Sequence, residues 1–184
     1  MLSSCLLRAV QTALHLFPNN PVIVAPYIKE IGHGLGNTTR SIKDQRSALQ
    51  DTSVRVNYEL VRRNVSDQFS RAALSSDYDK FIAWLHQKLQ TVKSLSGRTV
   101  DSTEALHVVV VTHSRFMRTF LSQRGASGPS PQNVAMVSQR FEMKHDTLRR
   151  ISVLPATLGT GDLEFVGIPR PEALVAADRD NCRY

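Results

Sequence analysis

Between Leu106 and Leu121 an unbroken apolar run gives way to a helical repeat. Val108, Val109, Val110 and Val111 are consecutive β-branched residues, which suits a strand buried on both faces in the middle of a parallel sheet. Thr112, His113 and Ser114 break the run, and Phe116, Met117, Phe120 and Leu121 then recur at helical spacing, with Arg115 and Arg118 on the wetter side. The pattern predicts strand, turn and helix, with His113 at the carboxyl end of a central strand. In open α/β sheets that edge collects ligands, and the backbone N–H groups of a helix start attract anions. A capping or packing histidine without chemistry fits this stretch equally well, so the decision rests on the rest of the chain.

From Leu6 to Phe17, apolar residues at Leu6, Leu7, Val10, Ala13, Leu14 and Phe17 predict an amphipathic helix, with Ser3 or Ser4 able to cap its start. Pro18 and Asn19-Asn20-Pro21 end it. Val22-Ile23-Val24 predicts a second buried strand, leading through Pro26 to Glu30 and the turn Gly32-His33-Gly34. A carboxylate just beyond a strand is well placed for proton transfer, although an ordinary surface loop has the same composition. Residues 37–76 are polar, with weak helical stretches around Val54 to Leu60, and predict an insertion of short helices and loops, a partial cover over the site. Solvation accounts for most of its basic residues Arg40, Lys43, Arg46, Arg55, Arg62 and Arg63.

A clearer helix is predicted from Asp77 to Val92, where Ile82, Leu85, Leu89 and Val92 share a stripe that Phe81 and Trp84 widen. Trp84 is expected to pack against the core. The breakers from Gly125 to Pro131 predict a loop. Asn133 to Phe141 and Thr147 to Leu154 predict a hairpin at the sheet edge, and Leu163 to Ile168 a last strand. Residues 169–184 predict a mobile tail. Alternation of buried strands with helices makes the fold class α/β.

Composition narrows the setting. The 184 residues, 41% of them hydrophobic, are enough for one compact domain, taken as 1–168. Arg8, His15 and His113 break the longest apolar runs below bilayer length, and Cys5 and Cys182 are too few for a disulfide framework, so a soluble, cytoplasmic protein is expected. The opening MLSSCLLRAVQTALHLF lacks acidic residues, but Arg8, Gln11 and His15 interrupt it and no small-residue cleavage site follows, so it reads as part of the fold. The formal charge of +7 favours anionic partners. The basic residues form no aromatic-interleaved stripe and no zinc-finger or RNA-binding signature, which argues against a specific nucleic-acid module; no membrane partner is expected.

Three stretches then stand together: SSCLLRAVQTA from Ser3 to Ala13, PYIKE ending at Glu30, and VVVVTHS ending at Ser114. Their order and spacing resemble the histidine phosphatase superfamily, also called phosphoglycerate mutase-like, over roughly Ser3 to Phe141. Ser4, Arg8, Ala9, Thr12 and Ala13 match its Ser-x-x-x-Arg-Ala-x-x-Thr-Ala pattern. The resemblance implies a three-layer α/β/α sandwich with a mostly parallel central sheet. It also implies metal-independent phosphoryl transfer or phosphomonoester hydrolysis through phosphohistidine, without a cofactor, on a phosphorylated small molecule or phosphoprotein. Arg8 would bind phosphate oxygens, His113 would stabilise charge on the transferring group, and Glu30 would protonate the leaving oxygen. Ser114 follows His113 where the family more often has glycine, and would line the phosphate pocket and narrow it. The chemistry is sound from below, because phosphoryl transfer needs cationic and N–H donors around the equatorial oxygens.

The departure from the family is its nucleophile. The family carries an attacking histidine in Arg-His-Gly at the end of its first strand, and no Arg-His dipeptide occurs in these residues. His33-Gly34 follows Gly32 and a loop, and is no substitute. The expectation is therefore a domain lacking that first strand. Two explanations compete: an active phosphatase shortened at its amino end, favoured by the presence of Arg8, Glu30 and His113 together, and a degenerate member that binds phosphoesters without turnover.

Overall fold

The computed structural model describes residues 1–32, 34–63, 67–95, 107–117, 135–136, 140–143, 148–151 and 166–167. In chain order the elements are β1 (Leu2–Ser3), α1 (Leu7–Leu16), β2 (Val22–Val24), α2 (Ile42–Leu49), β3 (Val56–Asn57), β4 (Arg62–Arg63), β5 (Gln68–Phe69), α3 (Tyr78–Leu95) and β6 (Val110–Val111). The later strands are β7 (Ala135–Met136), β8 (Arg140–Met143), β9 (Leu148–Ile151) and β10 (Val166–Gly167).

Four strands form a parallel sheet in the order β3-β2-β1-β6. Leu2 pairs with Ile23 on one side and Val110 on the other, and Ser3 with Val24 and Val111. The period of two along these strands sorts their side chains between two apolar clusters. Cys5, Val22, Val24, Val56 and Val111 pack with Val10, Ala13 and Leu14 of α1 and Ile42 and Leu49 of α2. Leu2, Ile23, Ala25 and Val110 pack instead with Phe81, Ile82 and Leu85 of α3, with Phe116, and with Leu148 of β9. The architecture is α/β, a parallel sheet flanked by helices.

The stretch 37–76 is more closely built into the fold than its polarity suggests. Val56, Asn57 and Tyr58 alternate buried, exposed, buried, and Val56 pairs with Val22, so the region predicted as weakly helical supplies a sheet strand after a short 3-10 turn at Gln50–Arg55. Tyr58, Val61, Phe69 and Ala73 belong to the same cluster as α1. Helix α1 begins at Leu7 with Leu6 as its cap and no side-chain capping bond, contrary to the expected serine cap. Helix α3 follows the predicted stripe through Phe81 and Leu85, with Ile82, Trp84 and Leu89 partly buried, whereas Val92 is exposed.

The valine run departs from its expected burial. Among the described residues β6 ends the strand order, so it has a sheet neighbour on one side, and Val108 and Val109 are 37% and 39% exposed. The predicted hairpin forms as antiparallel β8 and β9, but among the described residues it is a two-stranded sheet of its own and not the edge of the parallel sheet, and β7 pairs with β10 in another. The predicted loop at 125–131 and tail at 169–184 lie outside the described residues, as do His33 and Arg118. No helix among the described residues is long and apolar enough to cross a membrane.

Candidate functional site at the carboxyl edge of the sheet

Because β1, β2 and β6 run parallel and in register, their carboxyl ends meet at one edge. The Ser4 N–H donates to the Val111 carbonyl at 2.9 Å, which sets Ser4 beside the turn Thr112-His113. The chain then turns through Cys5 and Leu6 into α1. That turn is pinned from both sides: the Cys5 thiol donates to the Ala73 carbonyl at 2.9 Å, and Gln45 Nε2 donates to the Cys5 carbonyl at 2.8 Å. Gln45 is fully buried on α2, and its Oε1 accepts from the Tyr58 hydroxyl at 3.2 Å. Fixing the turn fixes where the first turn of α1 carries Arg8.

A second cross-link aligns the chain after β2. Tyr27 adopts a left-handed φ of 67°, a costly conformation for an aromatic residue. It is held there by bonds from its N–H to the Ala72 carbonyl at 3.1 Å and from the Asp77 N–H to its own carbonyl at 2.9 Å. The buried Ile28 comes next, and its carbonyl accepts from Thr112 Oγ1 at 2.8 Å. Lys29 and Glu30 are thereby brought alongside the end of β6. Arg115 Nη1 donates to the Ile31 carbonyl at 3.2 Å, holding the next part of the loop to the helix that begins at Ser114.

Arg8 and Glu30 meet at this edge, with Arg8 Nη2 and Glu30 Oε2 4.0 Å apart. The Arg8 side chain is 45% exposed and that of Glu30 is 12% exposed. Arg8 also donates to the Gly36 carbonyl through Nη1 and to Asn37 Oδ1 through Nη2, the latter at 2.9 Å. Asn37 Nδ2 closes the loop on the Gly32 carbonyl at 3.3 Å, where Gly32 takes a φ of 111° that favours glycine. Glu30 Oε1 accepts from the Ile31 N–H at 3.0 Å.

His113 lies deeper, 7% exposed, with Nε2 2.9 Å from Ser4 Oγ. Its pKa is pushed down to about 4, first by burial and then by the positive charges of Arg8 and Lys29. At neutral pH it is an uncharged imidazole beside two cations. Burial also pushes the Cys5 thiol up, so the cysteine in the same turn is a protonated packing residue and no thiolate. The arrangement suits an oxyanion: two cationic side chains, a hydrogen-bonding imidazole and a carboxylate at the end of three parallel strands.

The structure thus gathers Arg8, Glu30 and His113 at one edge, while Ser114 is the half-buried first residue of the following helix, whose first turn closes with the Met117 N–H on the His113 carbonyl at 2.9 Å. Sequence reasoning passed over Lys29, whose signal was its place between a buried isoleucine and the acid. It also passed over the contact of Ser4 with His113, which no spacing reveals because the two are 109 positions apart. Among the described residues no group of three His, Cys, Asp or Glu side chains is placed to hold a metal ion. Comparisons of the chain with protein-family models, with curated proteins and with solved structures give no match.

Proposed function

We propose that the chain is a phosphoglycerate mutase-like domain of the histidine phosphatase superfamily, an α/β/α sandwich whose edge pocket binds the phosphoryl group of a phosphomonoester. One observation carries this reading: Arg8, Glu30 and His113, which come from three separate elements, converge closely enough that Arg8 pairs with Glu30 and its charge acts on the His113 ring.

In this reading the Arg8 guanidinium exchanges its neutral acceptors, the Gly36 carbonyl and Asn37 Oδ1, for phosphate oxygens. Charge-assisted bonds of this kind are roughly twice as strong as neutral ones, and the fork geometry suits two oxygens at once. Lys29 adds a second positive charge. His113, neutral before binding, gives an N–H to the anion, and the incoming negative charge raises its proton affinity. Glu30 is the acid that protonates the leaving oxygen when an ester bond breaks. Turnover through phosphohistidine needs a histidine nucleophile; the presence of Arg8, Glu30 and His113 together supports the catalytic reading, and a family member that binds phosphoesters without hydrolysing them is the second reading.

Calorimetric titration with inorganic phosphate or orthovanadate tests the pocket. Wild-type protein binds, and Arg8→Ala weakens binding about tenfold or more, the loss expected for a charged hydrogen bond. Failure of the wild type to bind either anion rejects both readings. A labelled phosphoester separates them: acid-labile label on histidine, in a chain carrying an Arg-His-Gly strand ahead of Met1, identifies the enzyme, and binding without label identifies the binder.

A further inference from the structure

We propose that Ser4 is a positioning residue for His113, its hydroxyl donating to Nε2 and so holding the single ring proton on Nδ1. The inference rests on the phosphoryl-binding reading for its purpose and on separate geometry for its substance. Ser4 Oγ is 2.9 Å from His113 Nε2, and both residues are buried. Ser4 is itself immobilised. Its N–H donates to the Val111 carbonyl at 2.9 Å, its carbonyl accepts from Ser3 Oγ at 3.2 Å, and its Oγ accepts from the Leu6 N–H at 3.4 Å.

The direction of the Ser4–His113 bond follows from counting donors. A serine hydroxyl has one O–H to give and two lone pairs to receive, and a neutral imidazole has one N–H and one bare nitrogen. The Leu6 N–H already occupies one lone pair of Oγ. If Nε2 carried the proton it would take the other, and the hydroxyl hydrogen would be left, among the described residues, with only the weak sulfur acceptor of Cys5. A buried donor without a strong partner is disfavoured. With Nε2 bare, the Ser4 hydroxyl is fully used at this contact: Leu6 N–H gives to Oγ, and Oγ–H gives to Nε2, the stronger acceptor. The ring then keeps Nδ1–H as its donor for an anion. One short turn therefore supplies both the residue that sets the imidazole, Ser4, and the residue that meets the anion, Arg8, four positions later. When the ring gains a second proton, the hydroxyl can rotate and accept from Nε2–H, so the same contact serves both protonation states.

Long-range proton–nitrogen correlation of the imidazoles in the full chain at neutral pH tests this, with His113 identified by its loss in His113→Asn. The expected spectrum shows an Nδ1-protonated His113 in the wild type and in Ser4→Thr, which keeps the hydroxyl. Ser4→Ala is expected to move the proton wholly or partly to Nε2 and to weaken phosphate binding several-fold, with Ser4→Thr restoring it. An Nε2-protonated ring in the wild type overturns the proposal, and this result stands whether or not Ser4→Ala folds. An unchanged tautomer in folded Ser4→Ala also overturns it. Phosphate binding with a tautomer indifferent to Ser4 removes the positioning role and leaves the pocket. A tautomer that depends on Ser4 in a protein that binds neither phosphate nor orthovanadate keeps the positioning role and removes the pocket.

Discussion

His113 has its proton affinity set by a buried position and two nearby cations, and this makes it a source of pH-dependent stability. Its folded-state pKa of about 4 lies below the unfolded histidine value of about 6.5, so between those values the unfolded chain binds more protons. The contribution is fully present above pH about 6.5 and is lost as the pH falls to about 4. Its size is on the order of 1–3 kcal/mol. Urea midpoints taken across that window are expected to fall less steeply for His113→Gln than for the wild type, and equal slopes would remove the claim that the buried ring is neutral. At Arg8, lysine keeps the charge and loses the fork, so Arg8→Lys is expected to bind phosphate more weakly than wild type and better than Arg8→Ala in the same titration. These two residues were legible in sequence for a physical reason: a histidine that ends a valine run, and an arginine in the first turn of a helix, stand out against apolar neighbours. Lys29 did not, because a lysine in a loop is ordinarily solvated.

At the scale of elements the site depends on the turn between β1 and α1, and that turn depends on α2. Gln45→Leu deprives the Cys5 carbonyl and the Tyr58 hydroxyl of buried partners. The expected cost is about 1–3 kcal/mol, read as a lowered urea midpoint with an unchanged slope. Tyr58, its pKa pushed up to about 12 mainly by burial against the smaller opposing effect of Arg46, stays a neutral donor to Gln45 throughout the working range. Helices α1 and α3 were readable because their apolar periods run for several turns, and β2 because three β-branched residues stand together. The pairs Leu2–Ser3 and Val56–Asn57 are too short to show a period, and Val56 becomes a strand residue only through its pairing with Val22 on β2. For the same reason 37–76 looked like an insertion: its apolar residues Ile42, Leu49, Val56, Tyr58 and Phe69 are spread thinly along the chain and meet only in the folded core.

For the whole molecule, parallel pairing is the feature that converts three dispersed motifs into one edge. The α/β class followed from alternating buried strands and helices, whereas the strand order did not, and the valine run read as central ends the order among the described residues. A net charge of +7 sets a favourable field for an anion, and a ligand bound only by the folded state stabilises it by mass action. At phosphate concentrations near 100 times the dissociation constant the expected gain is about 2.7 kcal/mol. It should appear as a raised melting temperature relative to chloride at equal ionic strength, and should fall to about half or less in Arg8→Ala at the same phosphate concentration.

The most direct measurement is the titration of the His113 imidazole by nuclear magnetic resonance with and without saturating inorganic phosphate. An anion held between Arg8, Lys29 and His113 offsets the two cations, so the ring is expected to titrate at a higher pH when phosphate is present, and Arg8→Ala is expected to need about tenfold or more phosphate to reach its rise. A His113 titration that phosphate leaves unmoved would contradict the existence of a shared anion pocket at this edge.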